Sequence, residues 1–250
     1  MVGRGEGSGF GGAIFLMVSV AALGAVPAAA QEMGFFERIG VSLGLRDAPE
    51  AAIADALPYQ VEVTVTEAGR SVRKEVERAS RLYSLRRSAP SGAAGLLRRA
   101  LGDTDLITAA LYAHGHYAGT IRITVAGVPV DSEDVLETIE AARATGPVPV
   151  TVEVAAGPVF HFGEVAVVDE DGRPLPDAPT LRALQLEPGD VARSSAIIDA
   201  EGRIARTYRD LGHPFAKVAR KDVVADHARQ TLDVTLFVST GPVAAFGEIS

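Results

Sequence analysis

One phrase occurs twice in this chain. Residues 157–164 read Gly-Pro-Val-Phe-His-Phe-Gly-Glu, and residues 241–248 read Gly-Pro-Val-Ala-Ala-Phe-Gly-Glu. Upstream of each copy lies a helical pattern that ends in Gly-His: Leu111-Tyr112-Ala113-His114-Gly115-His116, then Tyr208-Arg209-Asp210-Leu211-Gly212-His213. A repeat of this kind argues for two small units of one design and against a single catalytic domain.

The first unit opens on strict alternation. Tyr59, Val61, Val63 and Val65 point one way, and Gln60, Glu62 and Thr64 the other, the period of a half-buried strand. Val72, Val76, Ala79, Leu82 and Tyr83 then fall on one helical face, with Ser71 placed to cap it. Pro90-Ser91-Gly92 separates this helix from a second, predicted from about Ala93 to His114. Its apolar set includes Leu97, Leu101, Ile107, Ala110 and Leu111. Gly102 weakens that helix, Asp103 and Asp105 read as a break near it, and Gly115 is placed as its C-terminal cap. A strand with Ile121, Ile123 and Val125 follows, then an inserted helix over 132–145, then a strand carrying Val148, Val150, Val152 and Val154.

The second unit repeats the order. A strand is predicted over 162–168, a short helix over 180–186 and a turn at Pro188-Gly189-Asp190. Ile197, Ile204, Tyr208 and Leu211 form a helix face ended by Gly212. Strands follow over 215–224 and from Leu232 to Val238. The expected fold class is α+β, with β-α-α-β-β order and two helices on one face of a three-stranded mixed sheet. The repeated Phe-Gly-Glu opens a first strand, so residues 243–250 are expected to begin a third unit of a longer polypeptide. The divisions are then 1–30, 31–58 as a leader or linker, 59–160, 161–242 and 243–250.

The chain has 250 residues and a net charge of −8, which argues against a nucleic-acid partner. Cysteine is absent, which excludes a disulfide framework, a thiolate metal site and a lipidated cysteine. Arg4, an apolar run from Ala13 to Val26 and Ala28-Ala29-Ala30 have the layout of a cleaved export signal. That run is short of the ~20 apolar residues of a bilayer span.

No set of residues reads as a catalytic or cofactor site. His114 and His116 straddle a predicted helix end, so their side chains diverge, whereas a metal needs three or four convergent ligands. Ser71-Val72-Arg73-Lys74 matches an S-x-x-K nucleophile motif, but its companion motifs are missing. Glu164 and Glu248 recur with the repeat, which points to packing or a junction. No metal, cofactor or enzymatic activity is expected.

The β-α-α-β-β order, together with Gly189-Asp190 and Tyr208-Arg209-Asp210-Leu211-Gly212-His213-Pro214-Phe215-Ala216-Lys217-Val218, resembles the POTRA domain. Gly115-His116-Tyr117 resembles the corresponding element in the first unit. Two such units after an export signal, with Phe35-Phe36-Glu37-Arg38 in the leader, are similar to the N-terminal region of the TamA family of outer-membrane assembly factors. BamA relatives, two-partner secretion transporters and division-type POTRA proteins are alternatives. An exported hydrolase is a third reading, from another class.

The resemblance implies a periplasmic scaffold attached to an outer-membrane β-barrel. It implies unfolded outer-membrane or autotransporter proteins as clients, and a TamB-like inner-membrane partner. In that fold one strand of the hairpin is an edge, and an extended client can pair with it. The edges are expected at about 119–125 and 215–223, with Thr120, Arg122, Thr124, Phe215, Lys217 and Lys221 as partner-binding residues. The alternative for each is an ordinary solvated strand position, with the cations guarding against unwanted pairing.

Overall fold

A computed structural model describes residues 55–244. The expected export signal, nearly all of the leader and most of the expected third unit lie outside the described residues.

The first unit runs β1 (Tyr59–Thr66), α1 (Arg70–Ala79), α2 (Arg81–Ser84), α3 (Gly92–Ala113), β2 (Thr120–Val125), β3 (Val128–Pro129), α4 (Val135–Arg143) and β4 (Val148–Ala155). The second runs β5 (His161–Asp169), α5 (Leu181–Leu184), α6 (Ser194–Asp210), β6 (Lys217–Asp226) and β7 (Thr231–Ser239). The sheet orders are β1-β4-β2-β3 and β5-β7-β6. In each, the first and last long strands are parallel, and the middle one in sequence is antiparallel to the last. This is the α+β arrangement of a POTRA-like fold.

Alternation positions the first core. Val61 pairs with Val150 and Val63 with Val152, while Ile123 faces Val152 and Val125 faces Val150 across the other edge of β4. The valines of β4 are buried, and the core includes Val76, Leu96, Ile107 and Leu111 from the helices. The second core joins Phe162, Leu232, Val234, Leu236 and Val238 to Ile197, Ile204 and Tyr208. Leu101 and Leu211 depart from their expected faces. They are 48% and 51% exposed, and Leu211 is the C-cap residue of α6.

The predicted first helix is two. Ser80 interrupts it, and its hydroxyl accepts from the Tyr83 N–H at 3.0 Å to start α2. Ser71 therefore lies inside α1, whose N-cap is Gly69 with no side-chain bond. The cause lies in α3. Asp103, fully buried, accepts from the Ser80 hydroxyl at 2.5 Å and from the N–H groups of Arg81 and Leu82 at 2.7 and 3.0 Å. A carboxylate thus satisfies the orphan donors at the start of α2. Gly102, Asp103 and Asp105 all sit within α3, not at a break.

The two repeated phrases meet in space. Both long helices end in a Schellman motif. Gly115, at φ +83°, donates to Tyr112 at 3.1 Å and His116 to Leu111 at 3.0 Å. Gly212, at φ +92°, donates to Arg209 at 3.1 Å and His213 to Tyr208 at 2.9 Å. In each unit the histidine Nδ1 then donates to the glycine carbonyl of Gly-Pro-Val. His116 bonds Gly157 at 2.9 Å, and His213 bonds Gly241 at 3.1 Å. The residue three positions on donates back to the capping glycine: Phe160 to Gly115 and Ala244 to Gly212, both at 2.8 Å. The paired His-x-His of the sequence is therefore half structural latch. His116 is buried and tied to backbone, leaving His114 as the C-cap residue of α3.

In the first Phe-Gly-Glu, Gly163 has a steric reason to be glycine. A Cβ there would run into the Asp233 carboxylate, whose Oδ1 accepts the Glu164 N–H at 2.7 Å. The β5–β7 register shifts at this point, between Phe162 and Val165.

Candidate strand-edge site

In the first unit the rim expected at 119–125 is half covered. β3 pairs with β2 through Thr124–Pro129 and Val125–Val128, and Val130 donates to the Ile123 carbonyl at 3.2 Å. Thr124 is therefore no free edge position. The chain reverses at Ala126-Gly127, both at positive φ, and folds this short strand onto the rim. Thr120 and Arg122 precede the covered stretch. They stand on the open face of the sheet with Thr64, Thr66 and Glu153, around a shallow polar hollow.

In the second unit β6 pairs with β7 alone, so its other edge has no strand partner among the described residues. A free rim of ten residues offers unpaired backbone donors and acceptors. Phe215 is not on it. Pro214 occupies a turn closed by the Ala216 N–H to the His213 carbonyl at 3.0 Å, which leaves Phe215 71% exposed ahead of the strand.

A bulge between Val218 and Arg220 changes the faces of the two lysines. Simple alternation would put Lys217 and Lys221 on one side. Instead Lys217 stands opposite Ser239, while Lys221 stands opposite the buried Leu236, on the helix side. There its ammonium reaches Glu201 of α6 at 2.5 Å. Arg220 turns to the open face, its guanidinium 3.6 Å from the Phe237 ring centroid. One extra residue in the strand produces all three placements.

The bulge also brings an apolar set to the β6 edge. Lys221, Val223 and Ala225 line one wall of a pocket of about 330 Å³, opposite Ser194, Ile197 and Ile198 of α6. Tyr112 and Tyr117 from the first unit close its end. Ile198 is 61% exposed. Tyr112 and Tyr117 stack at 4.6 Å, and Tyr117 meets the Phe160 ring edge-on at 5.6 Å. The Tyr117 hydroxyl is buried and has no hydrogen-bond partner among the described residues. Burial, with Tyr112 adding to it, pushes its pKa up to about 12.

Sequence reasoning missed this trough. Tyr117 was visible as part of the repeat but not as a lining residue. The available signal was Ile198, an apolar residue beside the buried stripe of α6, and the uninterrupted Val223-Val224-Ala225 in β6.

An unpaired buried hydroxyl costs roughly 1–3 kcal/mol. Tyr117→Phe is expected to stabilise the free protein by about 1 kcal/mol in urea unfolding. A raised tyrosine pKa adds stability that is complete below the unfolded value of 10.0 and is lost as pH rises toward about 12. The wild-type protein should therefore lose more stability across that window than Tyr117→Phe. Parallel pH profiles for the two proteins would contradict this assignment.

Residues 165–241 match the POTRA family model, described as a surface antigen variable number repeat. The match covers most of the second unit. Among solved structures, the chain is similar to POTRA domains 3–5 of BamA from Haemophilus influenzae, at 19% identity and TM-score 0.40 over 76% of this chain and 67% of that one. It is also similar to POTRA domains 1–2 of Omp85 from Anabaena, at 15% identity and TM-score 0.43 over 76% and 98%. A third is CdiB from Escherichia coli, at 15% identity and TM-score 0.29 over 82% and 30%. No curated protein sequence matches the chain. Among the described residues no helix is long and apolar enough to cross a membrane, and no group of three or more His, Asp or Glu could hold a metal ion.

Proposed function

We propose that this chain is a periplasmic scaffold that captures extended polypeptides along β6, as part of an outer-membrane β-barrel assembly or transport protein of the TamA type. Its clients are unfolded outer-membrane or autotransporter proteins, and a TamB-like protein is its inner-membrane partner. It acts by binding, not by catalysis. Support comes from the POTRA family match over 165–241 and from the repeated unit. The observation that carries the mechanism is the free β6 rim beside an apolar trough.

The physical sequence is short. A client strand pairs with the β6 backbone, which is indifferent to client side chains. Every second client side chain then points toward the trough between β6 and α6. Val223, Ile198 and Tyr112 receive apolar groups there. Of the residues expected from sequence, Lys217 and Lys221 lie on this rim, and Phe215 lies just ahead of it.

Titration of the labelled protein with an unstructured apolar-polar alternating peptide should shift amide resonances over 217–226 and leave β2 unmoved. Val223→Asp should weaken that binding by about tenfold, the loss of roughly 1.4 kcal/mol of apolar contact. Shifts confined to α6, or a Val223→Asp protein that binds like wild type, would reject pairing at this rim.

A further inference from the structure

The first unit carries a concentration of positive charge that the strand-edge reading does not use. Between Arg70 and Arg99 stand nine Lys or Arg residues against only Glu75 and Glu77, in a chain whose net charge is −8. Eight of the nine are exposed, of which Arg73 bonds the Val65 carbonyl at 3.2 Å and Arg86 the Tyr83 carbonyl at 2.6 Å; Arg99 is half-buried and bonds the Tyr59 hydroxyl at 2.9 Å and the carbonyls of Ser88 and Leu85 at 2.9 and 3.2 Å. Arg70, Lys74 and Arg78 recur every fourth residue along α1, opposite the buried Val72 and Val76. Like charges at that spacing repel. Only Arg78 has an ion-pair partner among the described residues, Glu75 at 2.6 Å. The first helix of the second unit, α5, carries a single cation, Arg182, paired with Glu187 at 3.7 Å. On α6, Arg203 and Arg209 are turned inward onto the carbonyls of Leu184 and Ala216, and Asp199, Glu201 and Asp210 offset the rest.

Two exposed leucines lie among these cations. Leu85 is 42% exposed and is followed directly by Arg86 and Arg87; Leu101 is 48% exposed, one turn beyond Arg98 on α3. The Arg99–Leu85 bond holds the loop carrying the first against the helix carrying the second. None of the exposed cations lines the strand-edge trough or the polar hollow of the first sheet.

From this charge complementarity we propose that the α1–α3 layer of the first unit docks on an anionic phospholipid bilayer. The guanidinium groups engage headgroup phosphates, and Leu85 and Leu101 enter the interface. Arg offers planar, bidentate recognition of phosphate. A surface of spread cations with isolated apolar side chains suits a diffuse anionic plane better than a shaped peptide site. This inference does not depend on peptide capture at β6.

The test is cosedimentation of the full chain with vesicles of one part phosphatidylglycerol to three parts phosphatidylcholine, against vesicles of phosphatidylcholine alone. Each basic residue near an anionic surface contributes about fivefold to partitioning. Combined Arg70→Ala, Lys74→Ala and Arg78→Ala should reduce binding to the anionic vesicles about a hundredfold. A second triple, Arg81→Ala, Arg87→Ala and Arg98→Ala, should do the same, and Arg206→Ala on α6 should change nothing. Salt at about 1 M, where screening acts within ~3 Å, should abolish the wild-type preference. All variants retain residues 1–54, so any contribution of the N-terminal apolar run cancels. Equal binding to both vesicle types, or triples that bind like wild type, would overturn the proposal. So would poly-glutamate displacing the protein from anionic vesicles at stoichiometric concentration, which would assign the face to an acidic polypeptide. Loss of vesicle binding with β6 titration intact separates this surface from the strand-edge function.

Discussion

Asp103→Ala should lower the unfolding free energy by about 4 kcal/mol, because three donors lose a shared acceptor and each buried polar group left unsatisfied costs roughly 1–3 kcal/mol. The carboxylate is fully buried and receives the Ser80 hydroxyl and the Arg81 and Leu82 N–H groups. Alanine leaves all three donors without their acceptor. Asp103→Asn keeps one carbonyl oxygen but turns an amide donor toward other donors, so it should recover only part of the loss. Urea unfolding of the three proteins decides the matter. A cost below about 1 kcal/mol for Asp103→Ala would mean that the start of α2 is held by packing alone.

Phe160→Ala should cost about the same, roughly 3–5 kcal/mol. Its consequence is different in kind. Phe160 is fully buried in the second core, yet its ring also meets Tyr117 of the first unit, and its N–H donates to Gly115. His227 packs edge-on against the same ring at 5.4 Å. Removal takes away one of the largest buried side chains of the second core, the one that packs against Tyr117. The wild-type protein should unfold in a single calorimetric transition and Phe160→Ala in two, the lower belonging to the second unit. A single transition shifted downward in Phe160→Ala would show that other contacts couple the units.

The fold class and unit order were legible because period two and period 3.6 are written plainly. Tyr59–Thr66, Val148–Ala155 and Thr231–Ser239 alternate without error, and the Gly-His phrases mark both long helix ends. The break at Ser80 was not legible, since its cause is Asp103, on another helix. A buried carboxylate capping a distant turn has no local signature. The site was half legible. That a hairpin strand would be an edge followed from the resemblance, but β3 covers Thr124 through a pairing of only two residue pairs, too short to alternate. The bulge near Ala219 separated Lys217 from Lys221, because parity counted along a strand fails once a residue is inserted.

The latch at Gly115, His116, Gly157 and Phe160 bears on how such units can be joined. Gly157-Pro158-Val159 is at once the lid of one module and the lead-in to the next strand, and its path is fixed at both ends by bonds to the same helix terminus. A tether of that sort has almost no slack. Lengthening it by one residue should cost little in either core yet redirect the neighbouring module, so four amino acids at one helix end bear directly on the heading of the β6 rim.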